Sequence, residues 1–217
     1  MRTMTESLAQ LKSVGFQPRT VIDVGVAHGT PTLYAAFPDA YYFLFEPVAD
    51  WEPDIQRVLK NIHGEYELCG LGETSSTTTI FIPQGSVGAS LMHLGIKADD
   101  PHLRTVPVRT LDEVFAGRKI DRPILLKTDC QGGDLAVIRG GRNFIAQCDV
   151  IIMEVGMFRY WSKKTPDFAD TIIEMKSHGF VPYDLFDYLP RPHDGALGQL
   201  DVVFVKDDGP FRATHQW

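Results

Sequence analysis

The stretch TVIDVGVAHGTP, residues 20–31, joins an apolar run to a glycine turn and then to a proline. The β-branched and apolar residues at 20–24 are typical of a buried strand. Gly25 and Gly29 allow the backbone of a tight turn to pass close to a ligand. The threonine and proline that follow are a favourable cap and first residue for a helix, which is predicted over residues 30–37. A strand, a glycine turn and a helix in this order predict the first unit of a parallel α/β sheet.

The rest of the chain continues this alternation of strands and helices. Apolar and β-branched runs predict further strands at residues 41–45, 66–69, 77–82, 106–109, 123–128, 150–153, 180–186 and 201–205. Apolar residues at helical spacing predict helices at residues 5–14, 51–62, 110–113, 134–139 and 166–178. Such alternation favours a parallel sheet covered on both faces, whereas the last two strands have no helix between them and must pair antiparallel or lie apart. We therefore predict a Rossmann-like α/β fold whose sheet ends in an antiparallel strand.

Composition limits the function classes. At 217 residues the chain is interpreted as one domain, with an N-terminal helix segment at 1–18 and an insertion carrying extra strands at 74–108. The formal net charge of −7 argues against nucleic acid as a partner, because that partner needs a basic face. Three cysteines without a CxxC pair favour reduced thiols over a disulfide framework or a zinc site. Neither a membrane span nor the apolar core of a signal peptide is present in the sequence, so we expect a cytoplasmic protein without a membrane partner.

Polar residues follow the predicted strands at the edge where such sheets bind ligands. The acidic residues Asp23, Glu46, Asp129 and Glu154 end four of the strands, and a glycine turn at residues 70–72 ends another. Glu46 follows Asp23 at roughly the 20-residue spacing from which an acid accepts hydrogen bonds from a ribose. Each acid also has a structural interpretation, as a helix cap, a solvated strand end or the partner of a lysine. Their coincidence at one edge of the sheet favours a nucleotide-type cofactor site.

The first turn favours S-adenosylmethionine over a nicotinamide dinucleotide. The dinucleotide fingerprint needs glycines where this chain has Ala27 and Thr30. S-adenosylmethionine has no phosphate, and its ammonium and sulfonium suit acidic surroundings. An NAD(P)-dependent oxidoreductase is kept as an alternative. His28 is interpreted as an ordinary polar residue, and His93 as a base only if its loop folds over the site.

The chain resembles the FkbM family of S-adenosylmethionine-dependent methyltransferases over residues 21–205. The motifs that carry the resemblance are VIDVGVAHGT, FEP, RTLDEV, LLKTDCQGGDLAVIRGG and IIMEV, in that order. The resemblance implies a class I methyltransferase fold, in which a mostly parallel seven-stranded sheet has an antiparallel last strand and helices on both faces. It also implies O-methylation of a hydroxyl, often on a sugar or a natural product of polyketide type.

The family pattern implies roles for particular residues. Cofactor-binding roles are implied for Asp23, Gly25, Ala27, Gly29, Glu46, Pro47, Gly70, Leu71, Lys127 and Thr128. The first turn would hold the amino-acid portion of S-adenosylmethionine, Glu46 its ribose, and Gly70 with Leu71 its adenine. The residues that end the fourth strand, Asp129 among them, would lie beside the methionine end and the transferred methyl group.

Gln131 departs from the family pattern, which usually has Asp-x-Glu-Gly where this chain has DCQG at residues 129–132. A neutral amide cannot accept a proton, so Asp129 becomes the first candidate for the base that takes the hydroxyl proton, and Glu154 the second. Asp129, Gln131 and Glu154 are therefore the candidate catalytic residues. A Mg²⁺ ion held by Asp129 and Glu154 is a less favoured alternative. A non-catalytic S-adenosylmethionine-binding module is another, for which Gln131 is the only hint.

The expected methyl acceptor is a small molecule with a hydroxyl group, such as a sugar or natural product. Tyr160, Trp161, Phe186 and Tyr188 fall in segments that could line its pocket, although core packing explains them equally well. A homodimer is compatible with the sequence.

Overall fold

The computed structural model describes residues 2–82, 100–160, 163 and 165–216, and every element named below lies in those ranges. The strands are β1 Thr20–Val24, β2 Tyr41–Phe45, β3 His63–Glu67, β4 Gly70–Leu71, β5 Ser76–Phe81, β6 Leu103–Arg109, β7 Ile124–Thr128, β8 Val150–Gly156, β9 Phe180–Pro190 and β10 Leu197–Lys206. The helices are α1 Met4–Ser13, α2 Pro31–Ala36, α3 Glu52–Val58, α4 Leu111–Val114, α5 Asp134–Arg139, α6 Arg142–Ile145 and α7 Phe168–Ser177. Short 3₁₀ turns lie at Ala49–Trp51 and Pro210–Arg212.

Seven strands form the main sheet in the order β3-β2-β1-β7-β8-β10-β9. Every pairing in it is parallel except the two that β10 makes with β8 and β9. The sheet therefore changes direction at its last strand, and the predicted Rossmann-like fold with an antiparallel last strand is confirmed. The reversal of strand order between β1 and β7 creates the crevice in which sheets of this kind bind ligands.

Successive residues of a strand point to opposite faces of the sheet. In the central strands β1 and β7, the residues on both faces are buried. Ile22 and Leu126 belong to one apolar cluster with residues of α5 and α6. Val21 and Leu125 belong to the other, together with residues of α1, α2 and α3. Burial on both sides explains why β1 and β7 are mostly apolar, apart from Thr20 at the start of β1 and the polar residues near the carboxyl ends of both strands.

Two predicted strand boundaries were wrong in ways that affect the site. Glu154 does not follow its strand: β8 continues to Gly156, because β10 pairs alongside it, with Asp201 opposite Glu154. The third strand of the sheet ends at Glu67 instead of running to residue 69, and Gly70–Leu71 pairs with β6 in a second sheet. The predicted long loop between the last two strands was also wrong, because both strands extend into a hairpin.

Some helix predictions also need correction. Thr30 lies at the start of α2, but its side chain makes no capping hydrogen bond. The helix predicted over residues 51–62 is divided into the 3₁₀ turn Ala49–Trp51 and α3, which ends at Val58. Helix α6 was not predicted, since its single turn is too short to show an apolar period.

The second sheet has the order β4-β6-β5, with β5 antiparallel to β6. Residues 83–99, which connect β5 to β6 and include His93, lie outside the described residues, as does Trp161. Among the described helices, none has the length and apolar character needed to cross a membrane.

Candidate active site

The carboxyl ends of β2, β1 and β7 lie side by side and are tied together by backbone hydrogen bonds. The Gly25 N–H donates to Phe45 O at 2.9 Å, and the Asp129 N–H donates to Val24 O at 3.0 Å. These bonds bring the turns after the three strands to one edge of the sheet, where Asp23, Glu46 and Asp129 are found.

Gly25 is required by both its conformation and its surroundings. Its φ is +80°, and a Cβ atom there would lie 2.0 Å from the carbonyl oxygen of Asp129. Since that oxygen belongs to the backbone of the turn after β7, it cannot simply rotate away. Gly29 also has a positive φ, +106°, and a Cβ there would lie 2.8 Å from a methyl group of Val58. Ala27, between them, is a non-glycine residue with φ +44°.

Gly25→Ala is expected to lower the free energy of unfolding by about 2 kcal/mol more than Gly179→Ala does. Gly179 is a matched control, because its φ of +81° is nearly the same but a Cβ there meets nothing within 4 Å. The difference between the two variants therefore isolates the contact with Asp129. Denaturant unfolding measures it, and equal losses would contradict the close approach.

Asp23 and Lys127 form a buried ion pair at the base of the site. Lys127 Nζ lies 3.3 Å from Asp23 Oδ1 and 3.6 Å from Asp129 Oδ2. The Tyr34 hydroxyl donates to Asp23 Oδ2 at 2.8 Å. Burial lowers the pKa of Lys127, but the charges of Asp23, Asp129 and Asp201 outweigh it and raise the pKa above its ordinary value. Lys127 is therefore charged and linked to both acids.

Glu46 is held by the backbone on both of its oxygens. The Ala27 N–H donates to Oε2 at 2.8 Å and the Val48 N–H donates to Oε1 at 2.9 Å. Burial raises the pKa of Glu46, whereas these two hydrogen bonds act in the opposite direction. Each oxygen retains a second acceptor position, so the fixed carboxylate can accept further hydrogen bonds from a ligand.

A cavity of about 180 Å³, which we name the glycine-turn cavity, opens above these residues. Of the residues predicted to bind a cofactor, it is lined by Gly25, Ala27, Gly29, Glu46, Pro47, Gly70, Leu71 and Lys127. Asp23 and Thr128 do not line it and are fully buried beneath. Trp51 also lines it, with its ring 5.8 Å from that of His28. The sequence analysis missed Trp51, which was assigned to a helix, although an aromatic residue soon after a strand end is a usable signal.

A second cavity of about 310 Å³, which we name the Glu154 cavity, adjoins the first. Its polar lining includes Gln131, Asp134, Glu154 and Gln199. The apolar part of the lining includes Phe158, Tyr160, Leu189, Pro190 and Pro192. Gln131 lines both cavities, whereas Asp129 lines only the glycine-turn cavity and Glu154 only the second one.

Of the aromatic residues considered for an acceptor pocket, Tyr160 lines the Glu154 cavity. Phe186 is fully buried in the core, and Tyr188 packs against the other core cluster. The Arg191 guanidinium lies 3.8 Å from the centre of the Phe158 ring and pairs with Asp194. The positive charge of Arg191, which lines the Glu154 cavity, is therefore already neutralised by an ion pair.

Gln131 connects the other two candidate catalytic residues, Asp129 and Glu154. Its Nε2 lies 3.3 Å from Asp129 Oδ1 and 3.3 Å from Glu154 Oε2. Its backbone φ is +49°, a conformation that residues other than glycine rarely adopt. The amide therefore joins the two carboxyls, one directly after β7 and the other within the neighbouring strand β8.

The carboxyls around the Glu154 cavity have raised pKa values. Burial, followed by the charges of Asp129, Asp134 and Asp201, raises the pKa of Glu154 to about 9. Burial likewise raises the pKa of Asp201 to about 7 and that of Asp134 to about 6. Glu154 is thus mostly protonated at neutral pH and is a much stronger base than an ordinary carboxylate once it ionises. Among the described residues, no group of three or more His, Cys, Asp and Glu side chains could hold a metal ion.

Comparison with known proteins identifies the family of the chain and structures that share its fold. Residues 23–182 match the Methyltransferase FkbM domain. An rRNA methylase from Streptococcus thermophilus has a similar structure, with a TM-score of 0.52 and 13% identity over 95% of this chain and 97% of that one. A protein from Streptococcus mutans, described as a methyltransferase and solved with S-adenosylhomocysteine, has a TM-score of 0.52 and 10% identity over 95% of this chain and 98% of that one.

Magnesium protoporphyrin IX methyltransferase from Synechocystis, solved with bound S-adenosylmethionine, has a TM-score of 0.50 and 11% identity over 94% of this chain and 77% of that one. At such low identities these structures show a shared fold. No curated protein sequence matches the chain.

Proposed function

Since the chain belongs to the FkbM family of S-adenosylmethionine-dependent methyltransferases, we propose that it methylates a hydroxyl group of a sugar or natural-product-like small molecule. The observation that carries this proposal is the meeting of two cavities at Gln131, one lined by the glycine turn and the other by Glu154. The family assignment removes the NAD(P)-dependent oxidoreductase from consideration. A non-catalytic binding module is an outcome of the tests below.

The glycine-turn cavity is the proposed site for S-adenosylmethionine, and its residues fit that ligand. Gly25 and Gly29 keep the turn free of side chains, and Glu46 offers acceptor positions suited to a ribose. Gly70 and Leu71 are small and apolar enough to flank the adenine. S-adenosylmethionine supplies an electrophilic methyl group, which leaves a neutral thioether when it is transferred.

Glu154 is the proposed base for the acceptor hydroxyl. It lines the cavity proposed for the acceptor, whereas Asp129, the first candidate from the sequence, lines the cavity proposed for the cofactor. Glu154 acts as a base only in its ionised form, and once ionised, a carboxylate with a pKa of about 9 takes a hydroxyl proton more readily than one of ordinary pKa. We propose that Asp129 orients Gln131, which lines both cavities, and Lys127, which lines the glycine-turn cavity.

The lining of the Glu154 cavity suits a neutral, hydroxyl-rich acceptor. Gln131 and Gln199 offer amide groups, and Phe158 and Tyr160 offer aromatic faces of the kind that pack against sugar rings. The Arg191–Asp194 pair leaves no strong positive charge there to require an anionic acceptor.

Glu46→Gln is expected to weaken S-adenosylmethionine binding by about ten-fold or more, because hydrogen bonds to a charged group contribute about 1.5 to 3 kcal/mol. Isothermal titration calorimetry on the purified chain measures the change. Glu65→Gln is the control, since Glu65 is exposed on β3 and does not line the glycine-turn cavity. Unchanged affinity in Glu46→Gln would remove the ribose-binding role.

The proposed function is tested with radiolabelled S-adenosylmethionine and a panel of sugars, glycosides and polyketide-type alcohols. We expect methyl transfer to one class of hydroxyl compound. Total RNA is included in the panel, because the fold is shared with an rRNA methylase. Transfer to RNA alone would overturn the acceptor proposal. Tight S-adenosylmethionine binding without transfer to any member would favour a non-catalytic module.

A further inference from the structure

We propose that Gln199 is a positioning residue that holds the Glu154 carboxyl in a fixed orientation at the cavity wall and controls its proton affinity. Gln199 lies on β10, far along the sequence from the motifs that carry the family resemblance. The inference rests on the proposed function, in which Glu154 accepts the proton of the acceptor hydroxyl.

The geometry surrounds the Glu154 carboxyl with two amides. Gln199 Nε2 donates to Glu154 Oε1 at 2.6 Å, and Gln131 Nε2 donates to Oε2 at 3.3 Å. Both glutamines line the same cavity as Glu154. The shorter bond comes from Gln199, whose strand is paired with that of Glu154, so the contact is anchored by the sheet.

An amide donor has a different effect from a cation at this position. The groups that face Glu154 are Lys127 and Asp129 near the end of β7, Asp134 on α5 and Asp201 on β10. Lys127 is the only cation among them, and it is paired with Asp23 and Asp129. A lysine or arginine in place of Gln199 would neutralise the carboxylate and weaken it as a base. An amide orients the carboxyl and leaves it strongly basic.

The hydrogen bond predicts a specific change in the ionisation of Glu154. Donation from Gln199 favours the charged carboxylate, so its removal should raise the pKa of Glu154 further. Gln199→Met keeps the length of the side chain and removes the donor. We expect the titration midpoint of Glu154 to rise by about one pH unit in this variant.

Carbon-13 NMR of the side-chain carboxyls in the full chain measures this midpoint, with the Glu154 signal identified by its loss in Glu154→Gln. Gln147→Met is the matched control, because Gln147 is exposed and does not line the cavity. Nitrogen-15 signals of the Gln199 side-chain amide should titrate in the unmodified protein with the same midpoint as Glu154. If Gln199→Met fails to fold, Gln199→Asn, whose amide is too short to reach, replaces it.

A midpoint that moves by less than about 0.3 unit in the Gln199 variants, or a Gln199 amide that does not follow Glu154, would overturn the proposal. Failure of the proposed function would appear elsewhere, as absent S-adenosylmethionine binding or as unchanged turnover in Glu154→Gln. Where the panel yields an acceptor, the pH–rate profile of Gln199→Met should shift in the same direction as the NMR midpoint.

Discussion

Lys127→Met is expected to lower the free energy of unfolding by about 3 to 5 kcal/mol, the usual cost of leaving a buried charge without its partner. Asp23 is fully buried, and its cationic partner among the described residues is Lys127, at 3.3 Å. Methionine fills a similar volume, so the loss reports the missing charge and not a cavity. Without the lysine, the hydrogen bond from the Tyr34 hydroxyl is the one side-chain contact left to the Asp23 carboxylate among the residues that the structure describes.

The double variant Asp23→Asn with Lys127→Met is the control. It removes both charges, so we expect it to be more stable than Lys127→Met alone, with a coupling free energy of about 2 kcal/mol or more in a double-mutant cycle. Denaturant unfolding at one pH measures the free energy of unfolding of the unmodified protein, the two single variants and the double variant. Additive effects would show that the two side chains do not interact across the buried contact.

Glu154→Gln is expected to slow methyl transfer by about 10²- to 10⁴-fold, the usual contribution of a positioned base. Glutamine reproduces the shape of the protonated carboxyl but cannot accept the proton. The rate is measured on the acceptor found in the panel, beside Asp129→Asn for comparison. A smaller loss in Glu154→Gln than in Asp129→Asn would return the role of base to Asp129.

Glu154→Gln should also be more stable than the unmodified protein, but only above about pH 5. The pKa of Glu154 is raised from its ordinary 4.5 to about 9 in the folded chain. At a pH below the pKa of the unfolded chain, Glu154 is protonated in both the folded and the unfolded state, so its carboxyl does not lower the free energy of unfolding. As the pH rises towards 9, unfolding is favoured by ionisation, so the native state loses stability that Glu154→Gln retains.

Thermal unfolding near pH 4 and near pH 8 tests this dependence. We expect equal stabilities at the lower pH and a gain of roughly 4 to 5 kcal/mol for Glu154→Gln at the higher one. Glu65→Gln, at an exposed position, should show no such difference. A gain that is the same at both pH values would mean that Glu154 ionises normally.

The fold could be predicted largely from local sequence. The bounds predicted for β1, β2 and α5 agree with the structure, because an apolar run between turn residues, or a helical period, is complete within the segment. Where the pattern was interrupted, as at Glu154, the predicted strand ended too early. An acidic residue inside a strand looks like the end of the strand unless the pairing of its neighbours is known.

The order of strands and helices, the glycine turn, and the acids Asp23, Glu46 and Asp129 near the strand ends could all be predicted from the sequence. These features depend on residues close together in the chain. The contact between Gln199 and Glu154, and the position of Gln131 in the lining of two cavities, became evident only in the folded chain. Such contacts depend on strand order and register, which arise from the packing of the whole sheet and are not encoded in any one segment.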